Sequence, residues 1–154
     1  MERRSAGLLL WRRREGDVEV LLGHHGGPYF AKKDAGHWTV LKGEFEPGEA
    51  AIDVARREFE EETGFSPPPG EPLDLGEIRQ KGGKAVQAWG LEGDVDPALA
   101  VSNTYEVEWP PGSGQIQAFP EIDRVAWFDL PEARRKIKAT QAPFLDRLQQ
   151  ALGG

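Results

Sequence analysis

The chain has 154 residues, with 26 acidic against 19 basic side chains, a formal charge of -7 and no cysteine. That length suits one domain, residues 1–154, with a substantial core. The missing cysteines exclude disulfides and thiolate metal sites, the acid excess argues against nucleic-acid binding, and no apolar run reaches the ~20 residues of a membrane-spanning helix.

Met1-Glu2-Arg3-Arg4 leads into an apolar run, residues 6–11, in the outline of a secretory leader. The run is short, lacks a cleavage pattern and meets Arg12-Arg13-Arg14, so it reads as a first strand of a cytoplasmic protein. A turn at 14–17 and an alternating segment at 18–22 complete a hairpin. Residues 24–36 form a loop around Gly26-Gly27-Pro28 that carries Lys32 and Lys33. A short strand at 38–41 ends on Lys42-Gly43, and 46–49 is a turn.

Residues 50–63 give the clearest helix. Ile52, Ala55 and Phe59 fall on one stripe, and Gly64 stands where a helix-ending glycine belongs. Pro67-Pro68-Pro69-Gly70 is a rigid loop, followed by strands at 73–80, 84–91, 102–109, 115–119 and 125–128. Gly82-Gly83 makes a tight connection flanked by Arg79, Lys81 and Lys84, which either receive phosphate or are an ordinary charged tip. Asp129 caps a terminal helix with Pro131 in its first turn. Pro143 interrupts that helix or opens another, whose Phe144, Leu145 and Leu148 stripe is core or a dimer contact. Strands mixed with a central and a terminal helical unit predict an α+β fold packed in layers.

The acidic segment holds the chemistry. Glu58, Glu61 and Glu62 share one narrow helix face beside the apolar stripe. Like charges so placed repel, more strongly when packed against a protein surface, and a hard divalent cation reverses that cost. Carboxylate oxygens suit Mg2+, with Mn2+ as the alternative, and a diphosphate can bridge such an ion. The ion would lower the pKa of water and stabilise charge on transferring and leaving oxygens. Crowded carboxylates raise one another's pKa, so one can act as general base. The plain alternative is a solvated face in which Arg56 and Arg57 balance the acids.

Gly43, Glu49, Arg57, Glu58, Phe59, Glu61, Glu62, Gly64 and Phe65 stand at the spacing of one known signature. Residues 43–65 resemble the motif of the Nudix hydrolases, with each fixed position filled. The resemblance implies an α/β/α sandwich with a mixed sheet between helices. It implies metal ligation by Glu58 and Glu62, with Glu61 a further ligand or base and the Gly43 carbonyl a further ligand. Glu49 and Arg57 match a pair that orders the loop, as a guanidinium fork on a carboxylate can. A further catalytic glutamate from a downstream loop is expected at Glu121, with Glu106 and Glu108 as alternatives. Leu41 stands where many members carry proline. The Gly26-Gly27-Pro28 loop and residues 119–123 are similar to a bacterial subgroup described as nucleoside triphosphate pyrophosphohydrolases.

The reaction implied is Mg2+-dependent hydrolysis of a nucleoside diphosphate linked to another group, by water attack on phosphorus. Candidate substrates are nucleoside triphosphates, dinucleoside polyphosphates, nucleotide sugars, oxidised nucleotides and ADP-ribose. Lys42, Lys32, Lys33, Arg79 and Lys84 are candidate phosphate contacts. His24, His25 and His37 read as surface or supporting groups, and Trp38, Trp89, Trp109 and Trp127 as packing, with Tyr29 or Phe30 available to stack on a base. The partner expected is a small nucleotide or other diphosphate, bound by a monomer or homodimer, with no nucleic acid and no membrane. The competing readings are a non-catalytic nucleotide-binding module and an acidic surface for a protein. The first fits a motif that has lost a carboxylate, and the second leaves Gly43 and Gly64 unexplained.

Overall fold

The computed structural model describes residues 3–153, apart from the Lys81 side chain. Side-chain alternation along Arg3–Arg14 (β1) dictates the layers. Leu9 and Trp11 join one apolar cluster, whereas Ala6, Leu8 and Leu10 join another. A strand buried on both faces lies inside a sheet covered twice.

The second half of β1 pairs antiparallel with Asp17–His25 (β2), which also pairs with Trp38–Thr39 (β3). Its first half pairs antiparallel with Leu41–Glu44 (β4). Leu73–Gln80 (β5) pairs antiparallel with Lys84–Glu92 (β6), and β6 runs parallel to β1. Thr104–Glu108 (β7) and Ile116–Pro120 (β8) form a separate two-stranded ribbon. Ile122–Asp129 (β9) returns to β2.

Helix Ala51–Thr63 (α1) covers one face, burying Val54, Ala55 and Phe59 against Leu8, Leu10, Leu41 and Leu91. Leu130–Lys136 (α2) and Pro143–Ala151 (α3) cover the other, where Ala133, Phe144, Leu145 and Leu148 meet Leu9, Val20, Leu22 and Trp38. The arrangement is the expected α/β/α sandwich around a mixed sheet. The expected caps also form. Asp129 accepts from the Glu132 N–H at 2.9 Å, and Gly64 closes α1 at φ 77°. Among the described residues no helix is long and apolar enough to cross a membrane.

One expectation needs correction. Residues 38–41 are two strands parted at Val40, because Val40 N–H is taken by a side chain instead of a ladder partner. Fully buried Gln141 accepts from it at 3.0 Å, while its amide donates to the Thr39 hydroxyl at 3.0 Å. The expected strands at 102–109 and 115–119 do form, as the mostly exposed ribbon of β7 and β8 outside the central sheet.

Gln141→Met keeps the volume but orphans the buried Val40 N–H. We expect it to lower the unfolding free energy by about 1–3 kcal/mol in urea titration, and an unchanged midpoint would refute this role.

Candidate active site

Helix α1 aims one side into the core and the adjacent side into a cleft. Phe59 is fully buried, and Glu58, Glu61 and Glu62 line a cavity of about 350 Å³. Lys42, Gly43, Glu44 and Arg3 form part of its wall, with Lys84, Asn103, Glu121 and His25 elsewhere around it. Two of these acids are desolvated. Burial first, then the Glu58 charge, pushes the Glu62 carboxyl up to about 9. Burial first, then Glu61, raises Glu58. Glu62 Oε1 is buried without a hydrogen-bond partner. Among the described residues, however, no three carboxyl or imidazole groups converge as a finished cation cluster.

The motif glycine has a steric cause. A Cβ on Gly43 would overlap the Glu58 carboxyl group, so the glycine leaves the space in which that carboxyl sits against β4. The loop between β4 and α1 is held by Glu49. Its carboxylate accepts from the Glu46 N–H at 2.8 Å and from Arg57 at 3.0 Å. Those bonds, the backbone one first, lower the Glu49 pKa. Arg57 also lies 3.8 Å from Glu58 and 3.9 Å from Glu61, so its charge leans on the acidic face.

Glu121 reaches the cavity through backbone bonds that tie the ribbon's two feet to α1. The carbonyls ending a helix lack intrahelical partners. Here Asn103 N–H donates to the Glu61 carbonyl at 2.8 Å, and Val101 N–H donates to that of Thr63 at 2.8 Å. Glu121 N–H then donates to the Asn103 carbonyl at 2.9 Å. Glu106 and Glu108 lie on β7 and do not line the cavity, and Glu108 instead accepts from the Gly112 N–H at 2.9 Å.

Of the candidate phosphate contacts, Lys42 and Lys84 line the cavity, whereas Lys32, Lys33 and Arg79 are exposed outside it. Arg79 lies 3.6 Å from Glu77. The Lys81 side chain lies outside the described residues. The histidines depart from expectation. His24 is fully buried, its Nδ1 2.9 Å from Asp123 and its Nε2 2.6 Å from the Lys33 carbonyl. His25 lines the cavity, packs on Phe30, and leaves Nε2 buried without a partner. Strand β2 runs through both histidines, and an irregularity in its pairing with β9 falls between them. Trp38 and Trp89 are core, as expected. Trp109 is not, since it lies past β7 against half-exposed Tyr29, with ring centroids 5.3 Å apart.

A mixed sheet between helices, with a carboxylate-lined cavity beside Gly43, defines an α/β/α sandwich domain. Residues 1–148 match the family profile of the NUDIX domain, and the chain belongs to that family. A *Caenorhabditis elegans* Ap4A hydrolase in a binary complex shares the fold, with a TM-score of 0.68 and 23% identity over 97% of this chain and 98% of that one. The NUDIX domain of *Shewanella oneidensis* NrtR, complexed with ADP ribose, has a TM-score of 0.67 and 13% identity over 99% of this chain and 89% of that one. A *Myxococcus xanthus* octanoyltransferase is 33% identical over 102 residues, 66% of this chain and 25% of that protein. The chain thus spans about a quarter of the length of that curated relative.

Burial of Glu62 gives a pH signature. Its carboxyl is raised from 4.5 to about 9, so between those values the folded state binds a proton that the unfolded state has released. Stability contributed by this group therefore falls as pH rises through that window. In chelator, Glu62→Gln is expected to melt with the wild type near pH ~4 and above it near pH ~8. Parallel melting curves across that range would contradict the burial cost.

Proposed function

We propose that Glu58, Glu61 and Glu62, with the Gly43 carbonyl, hold Mg2+ (or Mn2+) against the phosphate chain of a nucleotide, and that the enzyme hydrolyses an anhydride bond in that chain. The observation that carries this reading is the buried, partnerless Glu62 oxygen beside a second desolvated carboxyl. Hard oxygen donors of this kind fit a hard divalent cation. When bound, such a cation supplies charge neutralisation for the phosphates and acidifies water.

The chain's own residues do the rest. Arg57 and Glu49 fix the loop that carries Gly43 to its distance from Glu58. Glu121, tied by its backbone to the end of α1, stands across the cavity as a candidate to accept the proton of the attacking water. Glu61, about half exposed on the same wall, is the alternative base. Lys42 and Lys84 contact phosphate oxygens and offset their charge. Residues 1–154 act as one catalytic unit. The nucleotide reading draws support from the ligands named for the structural neighbours, Ap4A and ADP ribose.

Two outcomes follow. Glu62→Gln is expected to cut Mg2+-dependent turnover of a nucleotide panel by at least ~100-fold with the fold retained, as loss of a charge-stabilising group does. Unchanged turnover by that variant would overturn the assignment. Since Glu62 holds a proton up to about pH 9 before a cation arrives, Mg2+ binding should release about one proton at neutral pH and tighten as pH rises toward that value. Calorimetry in buffers of different ionisation enthalpy measures this, and pH-independent binding without proton release would contradict it.

A further inference from the structure

Gly26 and Gly27 take no part in the chemistry described so far, yet both are pressed against the elements that carry Glu121. A Cβ on Gly26 would overlap the Pro120 carbonyl, and one on Gly27 would overlap the Tyr105 hydroxyl. Gly27 also adopts φ 97°, which other residues rarely take. The close approach brings polar atoms together. Gly26 N–H donates to the Glu121 carbonyl at 2.9 Å, and the Gly26 carbonyl accepts from the Tyr105 hydroxyl at 2.9 Å. The Glu121 N–H is already bonded to the Asn103 carbonyl, so both backbone polar groups of this residue are fixed. Burial first, then the Glu121 charge, raises the Tyr105 phenol above its ordinary value, and the hydroxyl stays a donor.

A second tie acts two residues further on. Where β2 pairs with β9, His24 faces Arg124 and His25 faces Ile122, so Asp123 is an extra, bulged residue. A bulge re-aims the side chains beside it. Fully buried His24 holds this one, with Nδ1 2.9 Å from the Asp123 carboxylate and Nε2 2.6 Å from the Lys33 carbonyl. The loop after β2 is thus joined to residues 120–123 twice, directly at Gly26 and through His24 at Lys33. Tyr105 and His24 stand outside the cavity wall, whereas Glu121 lines it. Their contacts reach the cavity through the backbone of Glu121 and its neighbours.

We propose that Tyr105 and His24 are positioning residues for Glu121: Tyr105 through Gly26, and His24 through Asp123, brace the backbone from which the Glu121 carboxylate reaches the cavity. This rests on the reading of Glu121 as the group that takes the proton of the attacking water, and it deepens that reading. The ribbon of β7 and β8, which pairs with no other strand, then has a task, since it carries Tyr105 to the loop. With the brace loosened, the carboxylate leaves its working position while the other cavity groups still bind the nucleotide, so turnover falls and binding persists.

Two measurements test the brace. The first needs no turnover: amide hydrogen exchange, read by NMR on the protein in chelator. Tyr105→Phe is expected to speed exchange at Gly26 and Glu121 at least about tenfold, with exchange in α1 unchanged. Gln117→Ala, which removes a different ribbon bond to the Trp109 carbonyl, is expected to leave both amides as they were. The second is a double-mutant cycle on Mg2+-dependent hydrolysis of ATP, ADP ribose and Ap4A. Tyr105→Phe and Asp123→Ala are each expected to lower kcat about tenfold with KM little changed, and by less than about twofold once Glu121→Gln is present. Tyr105→Phe removes a single oxygen, so it keeps the test decisive if Asp123→Ala fails to fold. Unaltered exchange at Gly26 and Glu121, or losses that multiply with that of Glu121→Gln, would overturn the brace. Full turnover in Glu121→Gln would instead remove Glu121 as the base, and the brace's catalytic role with it. Failure of the phosphohydrolase reading registers elsewhere, as undiminished turnover in Glu62→Gln.

Discussion

The site depends on the desolvation of Glu62. The carboxyl sits one turn beyond Phe59, whose ring is locked into the α1-side core, and helical spacing then drives Glu62 into the same protected space. Glu58 shares that space, its carboxyl lying where a side chain on Gly43 would otherwise stand. Apolar burial of Val54, Ala55 and Phe59 offsets the cost of keeping these acids out of water, at about 25 cal/mol per Å² of apolar surface removed. The result is a carboxylate wall that is poorly satisfied by protein alone. Such a wall is stabilised by whatever brings positive charge to it.

The cavity also holds lysines. Lys42 lies in β4 immediately before Gly43, so the strand presents an ammonium and the motif glycine side by side. Lys84 opens β6, whose parallel pairing with β1 sets it opposite Arg3. Sheet topology, and not local sequence, brings Lys42 and Lys84 to one cavity with the acids of α1.

Much of this was legible in the sequence. The apolar runs at 6–11 and 18–22, the stripe of Ile52, Ala55 and Phe59, and the cap residues Asp129 and Gly64 each follow from local rules, and the spacing of the acids on α1 led to the family. What escaped was non-local. The division of residues 38–41 comes from Gln141, a hundred positions away, and nothing near Val40 announces it. Residues 104–120 alternate like sheet strands, but pair only with each other. His24 and His25 fall in the three residues by which β2 outruns the expected segment 18–22, and a break in pairing between them gives the two rings different surroundings. Lys42 stands out from Lys32 and Lys33 by adjoining Gly43, and the fold places it, unlike them, at the cavity.

The central claim is that the carboxylates of α1 hold a divalent cation. Anomalous diffraction from crystals containing Mn2+ tests it most directly. The account predicts a peak bound by the Glu58 and Glu62 carboxylates beside the Gly43 carbonyl. A cation seated elsewhere, or crystals with no peak on this face at saturating Mn2+, would contradict it.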